Sequence, residues 1–312
     1  MADPVPHDIR QLADERARAR RARAWATADR IKGELEAAGW RVEDAGTLYS
    51  LERLPPAVVE VDGELRYGSS VAVPSRLEEP ASPGVTVVLA AQDRAGVLPT
   101  AVGALLRELP ARRLVVVADA PSPGVGAELV LLPAGIDVVR LTKRLGLAAA
   151  WNAGIRRVAT EAVLVLDPRV EVDGEIARAA VAALADPGVA VAGVRGLTSE
   201  DLVHLKPAPD PAGDVFAVDR LAMAFRRADY VARGPLDEHF VLGDYLDAWW
   251  SFVLRDPAEG EAAEPRRAVL LSTPVTVRGE DALSDERIAR KQRYRFLKSF
   301  ATRRDLLVEA AG

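Results

Sequence analysis

Residues 85–94 read Val-Thr-Val-Val-Leu-Ala-Ala-Gln-Asp-Arg, an unbroken apolar run followed by polar and charged side chains. Such a run is typical of a strand that is buried on both faces of a parallel sheet. Further runs of this kind, with helical spacing between most of them, occupy 114–117, 136–141, 162–166 and 189–194. The alternation of strands and helices predicts an α/β domain with a mostly parallel sheet flanked by helices.

Carboxylates follow three of these strands. Asp93 comes after the first strand, Asp119 after the second and Asp167 after the fourth. Because ligands of such sheets bind beyond the carboxyl ends of the strands, we expect the three side chains to face one crevice. An aspartate after a strand is also a common turn residue, and for each of the three alone this second interpretation stays open.

Six segments of this part of the chain, in order, resemble the family 2 glycosyltransferases. Residues 146–155, Gly-Leu-Ala-Ala-Ala-Trp-Asn-Ala-Gly-Ile, resemble the family's GxxxARNxGI and are the most specific match. The others are 85–94, 115–124, 163–171, 234–240 and 245–255. The resemblance implies a GT-A fold, with inverting transfer of a sugar from a nucleoside diphosphate donor to an acceptor hydroxyl.

The resemblance also implies roles for individual residues. Asp247, in a segment similar to YEDxD, corresponds to the general base; the reaction needs one because an alcohol is a poor nucleophile until its proton is taken. The implied donor-side residues are Ala91, Asp93, Asp119, Asn152, Asp167, Arg169 and Arg278, and the implied acceptor-side residues are Asp237, Glu238 and Trp249.

Departures from the family pattern leave two hypotheses open. Asp167 corresponds to the first acid of the DxD metal motif, but Arg169 replaces the second, and Arg278 stands where many members have a histidine. These two guanidinium groups could grip a diphosphate in place of Mg or Mn, with Asp167 a metal ligand only if a metal is used. Alternatively the site has decayed, and the domain is a non-catalytic glycosyltransferase-like binding protein.

The N-terminal segment carries a second resemblance. Residues 16–44, which include Trp25-Ala-Thr-Ala-Asp29, are similar to the C-terminal, tRNA-binding end of the cysteinyl-tRNA synthetases, which reads ARxxKDWATADxIRxELxxxGIxLEDT. Helical spacing followed by a hairpin, and a second hairpin with Asp62-Gly63 as its turn, predict a small helix and β-hairpin module. Contact with RNA through this module is one alternative. We favour a reused adaptor for protein contact.

The expected domain limits are 1–76 for this module, 77–84 for a proline-rich linker, 85–283 for the GT-A-like domain and 284–312 for a basic C-terminal helix. Ser284 is the predicted N-cap of that helix. Its basic side chains would either contact an anionic membrane surface or lie in solvent while the helix packs on the domain.

The amino-acid composition of the chain argues against several classes of function. The net charge of -5 gives no reason to expect that the chain as a whole binds nucleic acid. The sequence has no cysteine, which excludes disulfides and thiolate catalysis. Residues 1–10 lack the pattern of a signal peptide, so we expect a cytoplasmic protein, with peripheral membrane contact as an option.

Overall fold

The computed structural model describes residues 5–22, 24–45, 48–54, 56–172, 175–208, 214–257, 264–279 and 285–306. The chain divides into two compact units, residues 1–68 and 69–312. This division falls before the predicted module limit at residue 76. The segment predicted as the linker, 77–84, overlaps the beginning of a strand that starts at Ser82.

The smaller unit contains two helices and two hairpins. Its elements are α1 (His7–Arg21), α2 (Trp25–Ala37), β1 (Trp40–Ala45), β2 (Leu48–Arg53), β3 (Val58–Val61) and β4 (Glu64–Tyr67). β1 pairs with β2 and β3 with β4, both antiparallel. The turn residues Asp62 and Gly63 both have positive φ (54° and 78°), as a two-residue hairpin turn requires. The predicted module is confirmed in type, with one helix more than the sequence indicated.

The sequence did not predict the additional helix, α1, because a charged residue lies on its buried face. Ile9, Ala13 and Arg16 are its buried residues, at the spacing of one helical face. Ile9 and Ala13 share a small core with Ile31 and Leu35 of α2. An arginine at a core-facing position interrupts the apolar pattern by which a helix is recognised.

The larger unit follows the predicted alternation of strands and helices. Its elements are β5 (Ser82–Ala91), α3 (Leu98–Leu105), β6 (Leu114–Ala118), α4 (Pro123–Val130), β7 (Asp137–Leu141), α5 (Leu147–Ile155), β8 (Thr160–Leu166), β9 (Val170–Val172), α6 (Ile176–Leu184), β10 (Val189–Gly193), β11 (Gly196–Thr198), β12 (Lys206–Pro207), β13 (Asp214–Val215), β14 (Ala217–Val218), β15 (Ala222–Arg226), α7 (Arg227–Arg233), α8 (Leu246–Arg255), β16 (Arg267–Leu270), β17 (Val275–Val277) and α9 (Glu286–Phe300).

The main sheet of this unit is mostly parallel, with one antiparallel strand in its interior. The strand order is β13-β16-β10-β15-β8-β5-β6-β7. β5 pairs in parallel with both β6 and β8, and β6 with β7. β15 runs antiparallel between β8 and β10, and its first residue, Ala222, is opposite Leu166 at the end of β8. Residues just before β15 therefore lie at the same edge as residues just after β5 and β8.

Residues that connect to β5 are held by arginine side chains of the larger unit. Nε of Arg156 donates a hydrogen bond to the carbonyl of Val73 (2.7 Å), and Nη1 of Arg157 donates to the carbonyl of Pro74 (3.1 Å). Residues 73–74 therefore belong to the larger unit and do not form a free connection.

The basic helix α9 is capped by Asp285, whose side chain accepts hydrogen bonds from two backbone N–H groups of the first turn (2.9 and 3.1 Å). The predicted cap, Ser284, lies outside the described residues. The rings of Phe296 and Phe300 pack on Phe252 of α8, with centroids 5.4 and 5.2 Å apart. The apolar side of this helix is thus part of the core of the larger unit.

Candidate active site

A pocket of about 310 Å³ opens at the carboxyl ends of β5 and β8. Ligands of α/β sheets bind at this edge, as the sequence predicted. The pocket is lined by Ala90, Ala91, Gln92, Asp93, Arg94, Val97, Leu98, Val125, Leu147, Trp151, Leu166, Asp167, Pro168, Arg169, Arg220, Val241, Leu242, Gly243 and Asp244. Of the predicted donor-side residues, the lining contains Ala91, Asp93, Asp167 and Arg169.

Asp119 supports the wall of the pocket from within the protein. Its carboxylate is fully buried and accepts hydrogen bonds from the N–H groups of Leu145 (2.7 Å) and Gly146 (3.1 Å) and from the amide of Gln92 (2.9 Å). Burial raises the pKa of Asp119, while these three donors act in the opposite direction. Asp119 is not part of the pocket lining, so the predicted contact with a donor nucleotide would require the residues that cover it to move.

The loop that Asp119 holds leads directly into α5. Gly146 precedes the helix with a φ of +97°, a conformation that glycine adopts without steric cost. Within α5, a methyl group at Gly154 would overlap Val88 of β5. Gly146 therefore serves the turn into α5, and Gly154 the close packing of α5 on the sheet.

Asp93 lines the pocket but is engaged by a neighbouring cation. The guanidinium of Arg144 forms a bidentate ion pair with its carboxylate, and Arg144 Nη2 also donates to the carbonyl of Ala120 (3.3 Å). Both side chains of the ion pair are about two-fifths exposed, 40% for Asp93 and 42% for Arg144.

Asn152 lies outside the pocket lining, in a buried network of hydrogen bonds. Its Nδ2 donates to the carbonyl of Leu236 (2.8 Å) and to Glu238 Oε1 (3.0 Å), and its Oδ1 accepts from the N–H of Leu236 and the hydroxyl of Tyr230. The hydroxyl of Ser70 also contacts Glu238. The sequence interpretation placed Asn152 on the donor side and Glu238 on the acceptor side. In the structure the two side chains belong to the same hydrogen-bond network.

Asp237 and Trp249, the other two predicted acceptor-side residues, also contact protein groups. Asp237 Oδ2 accepts a hydrogen bond from Arg295 of α9 at 2.7 Å. The ring of Trp249 packs against Phe240, with centroids 5.4 Å apart, and stacks on Trp250 at 6.0 Å. Neither residue is part of the pocket lining.

Asp167 and Arg169 form a close ion pair within the pocket. Arg169 donates to the Asp167 carboxylate through its backbone N–H (2.9 Å), its Nε (3.0 Å) and its Nη2 (2.7 Å). These hydrogen bonds raise the pKa of Arg169, so the guanidinium stays charged. The side chain is mostly buried but contributes to the pocket wall.

Arg278, the second cation expected at the donor, lies outside the pocket lining. Its guanidinium pairs with Glu171, with 2.6 Å between Nε and Oε2. Only its backbone reaches the site, because its N–H donates to the carbonyl of Arg169 at 2.9 Å. The Arg278 guanidinium is therefore held by Glu171 and is not part of the pocket lining, in contrast to Arg169.

Asp247 lies in the first turn of α8 and is not part of the pocket lining, which includes Arg220 and Gly243. It is 5% exposed, and its carboxylate accepts hydrogen bonds from the N–H groups of Ala248 (2.9 Å) and Arg220 (3.4 Å). Burial first, and then the negative charge of Asp219, raise the pKa of Asp247 to about 7. A carboxyl group with this pKa can accept a proton near neutral pH, as a general base must.

Among the charged residues of the site, sequence reasoning did not assign Asp219, Asp244, Arg94 and Arg220. Arg94 and Arg220 line the pocket, and Asp219 raises the pKa of Asp247. The signal for two of them was the apolar run 221–225 directly after Asp219 and Arg220, which is the beginning of β15. Identifying it as a strand, with its direction, would have brought both residues to the edge of the sheet.

The residues around Asp167 do not fit a divalent cation. Both oxygens of its carboxylate accept hydrogen bonds from Arg169. Among the described residues, no cluster of three or more His, Asp or Glu side chains could hold a metal ion. A DxD-type site therefore has no second acidic ligand here, and the positive charge at residue 169 would repel the ion.

Comparison with known proteins agrees with this fold. Residues 86–236, a little under half of the chain, match the family model described as Glycosyl transferase family 2. The larger unit has the GT-A fold. More particularly, residues 86–236 within it are the part of the chain that is similar to the family 2 glycosyltransferases.

One solved structure shares the fold at low sequence identity, and a second is reported as a weaker likeness. A crystal structure of GalNAc-T7 with UDP, GalNAc and Mn2+ is 14% identical with a TM-score of 0.55, and the match covers 71% of this chain and 48% of that one. This chain thus matches about half the length of that protein. A mannosyltransferase from Pyrobaculum calidifontis in complex with GDP-Man and Mn2+ is 19% identical with a TM-score of 0.45, and the match covers 62% of this chain and 58% of that one.

The N-terminal resemblance also has a counterpart. A stretch of 44 residues is 57% identical to Cysteine--tRNA ligase 1 of Burkholderia lata, covering 14% of this chain and 9% of that protein. The match is confined to one short module. In the described part of the chain no helix has the length and apolarity needed to cross a membrane.

Proposed function

We propose that this protein transfers a sugar, with inversion, from a nucleoside diphosphate donor to an acceptor hydroxyl, and that it binds the donor without a divalent metal. The observation that carries this proposal is the position of Arg169. It stands in place of an acid of the metal motif, it lines the pocket, and it is paired with the one remaining acid, Asp167.

The positive charge of Arg169 explains how a side chain can replace the divalent metal ion at the diphosphate. The departing diphosphate needs positive charge nearby, which a metal ion usually supplies. A guanidinium is permanently charged and can donate two parallel hydrogen bonds to phosphate oxygens. Arg169 therefore meets the requirement with a fixed side chain of the protein.

In the transfer step, the acceptor oxygen forms a bond to the anomeric carbon while the bond from that carbon to the diphosphate oxygen breaks. The nucleoside diphosphate leaves with the electron pair, and the proton of the acceptor hydroxyl passes to Asp247. The raised pKa of Asp247 supports this role. Because Asp247 is buried and is not part of the pocket lining, the residues that cover it must move aside for the acceptor.

A charge-reversal variant tests the metal independence directly. Arg169→Asp restores the acidic pair of a DxD motif, and Arg169→Gln removes the charge without adding an acid. A panel of nucleoside diphosphate sugars should raise the melting temperature of the wild type equally in EDTA and in Mn2+. Arg169→Asp should respond only in Mn2+, and Arg169→Gln in neither. Binding by the wild type that is abolished by EDTA would contradict metal independence.

A second candidate is a binding protein that uses the same pocket without transfer. The observation that favours it is the burial of Asp247, whose carboxylate is not part of the pocket lining. In that case a nucleotide sugar would stabilise the protein, but neither transfer nor slow hydrolysis of the bound donor would be detected by product chromatography.

A further inference from the structure

Two glycines beside the pocket provide space for arginine side chains. A methyl group at Gly243 would overlap Nε of Arg220, and a methyl group at Gly279 would overlap Nη1 of Arg94. Both arginines line the pocket. Each of the two arginine side chains therefore packs against the backbone of a glycine. A larger residue at either glycine position would occupy the space that the arginine fills.

The topology of the sheet brings these two cations to Arg169. Arg94 follows β5, Arg169 follows β8, and Arg220 precedes the antiparallel strand β15. The end of β5, the end of β8 and the start of β15 are neighbours at one edge of the sheet. Three guanidinium groups from three adjacent strands thus contribute to the wall of one pocket of about 310 Å³.

We propose that Arg94, Arg169 and Arg220 form a three-arginine cradle that binds the diphosphate of the donor. This inference rests on the proposed function and adds two residues to it. It also replaces Arg278, whose guanidinium pairs with Glu171 outside the pocket. The ligand class is a pyrophosphate group, whose oxygens accept the paired hydrogen bonds that guanidinium groups donate.

Three aspartates line the pocket, and two of them are paired with arginines. Asp93 is paired with Arg144, which reaches it from outside the lining. Asp167 is paired with Arg169. At these two carboxylates the repulsion of a pyrophosphate is reduced by the neighbouring cations, and Asp244 is the third negative charge that the three arginines must offset.

The cradle can be tested with inorganic pyrophosphate, because the nucleotide and the sugar are not needed. Titration calorimetry of the full chain in EDTA should detect binding by the wild type. Arg220→Gln and Arg94→Gln should each weaken it by about ten-fold or more, the loss typical of a hydrogen bond to a charged group. Arg220→Lys should lie between the wild type and Arg220→Gln.

Gly243→Ala is the sharper variant because it displaces Arg220 without changing any charge. It should weaken pyrophosphate binding as Arg220→Gln does. Gly103→Ala is the matched control, since Gly103 lies on an exposed face of α3 with open space around the added methyl group, and it should bind like the wild type. Circular dichroism melts identify any variant that has lost its fold.

The outcomes separate the cradle from the proposed function. Wild-type affinity in Gly243→Ala and in both glutamine variants would overturn the cradle. Binding of pyrophosphate only in the presence of Mg2+ would overturn it too. If sugar transfer is then detected with Mg2+, the glycosyltransferase function stands without the cradle. Pyrophosphate binding through the cradle with no transfer from any donor would overturn the proposed function alone.

Discussion

Asp119 and Asp247 are both buried carboxylates at one edge of the sheet, yet their surroundings differ. Asp119 accepts hydrogen bonds from three groups at 3.1 Å or less. Asp247 accepts one good hydrogen bond, from the N–H of Ala248, and one long one of 3.4 Å, and it lies beside a second carboxylate. The Asp119 carboxylate stabilises a loop through its hydrogen bonds. The Asp247 carboxyl group, with its raised pKa, can exchange a proton near neutral pH.

The largest expected effect is on turnover at Asp247. Asp247→Asn removes the proposed base while conserving size, so the transfer rate should fall by about 10²- to 10⁴-fold. The variant should stay folded, because the substitution also removes repulsion from Asp219. Initial rates with a radiolabelled or chromatographically resolved donor measure the change. A variant that kept its full rate would exclude Asp247 as the base.

Substitution of Asp119 should mainly lower the stability of the fold, whereas substitution of Asp247 should mainly lower the transfer rate. Asp119→Ala leaves the N–H groups of Leu145 and Gly146 without their acceptor, and each buried unsatisfied group costs about 1–3 kcal/mol. The free energy of unfolding should therefore fall by about 3 kcal/mol, measured by urea denaturation. A change below about 0.5 kcal/mol, within the range usual for surface substitutions, would mean that the loop does not depend on this carboxylate.

The pH dependence of stability separates the two carboxylates further. The folded-state pKa of Asp247, raised to about 7, exceeds its unfolded value of about 4. Between these values the folded state holds an extra proton, so the contribution of Asp247 to stability is present at low pH and is lost as the pH rises toward 7. Urea midpoints measured from pH 4 to pH 8 should therefore fall in the wild type relative to Asp247→Asn. Parallel curves would contradict the raised pKa.

The smallest effect is expected at the exposed pair of Asp93 and Arg144. Exposed ion pairs contribute about 1 kcal/mol or less, so Arg144→Gln should change the free energy of unfolding by no more than that. The effect should shrink further in 0.5 M NaCl, because salt screens exposed charges. A loss comparable to that of Asp119→Ala would show that this pair is also part of the structural support.

The sequence predicted the sheet better than it predicted the site. Continuous apolar runs identified β5, β6, β7, β8 and β10, because burial on both faces leaves a pattern that needs no partner to be recognised. The strand β15 was missed, and with it the position of Asp219 and Arg220. Its direction depends on pairing with β8 and β10, which are distant in the chain, and local sequence does not carry that information.

The family pattern identified residues of the site but not the contacts they make. Asp167 and Arg169 do line the pocket, whereas Asn152 lies in an internal network with Leu236 and Tyr230. Both kinds of residue occur in equally recognisable motifs. A motif records that a side chain is required, and only three-dimensional contacts distinguish a ligand contact from a structural support.

The arginine contacts on residues 73–79 bear on how the glycosyltransferase unit should be separated from the smaller one. Besides Arg156 and Arg157, Arg227 donates to the carbonyl of Glu79 at 2.7 Å, and Arg227 is itself mostly buried. A truncated chain that began at residue 80 would remove the carbonyl groups of Val73, Pro74 and Glu79, to which these three guanidinium groups donate. Beginning at Ser69 keeps every one of those acceptors, so a shortened version of the larger unit should start there.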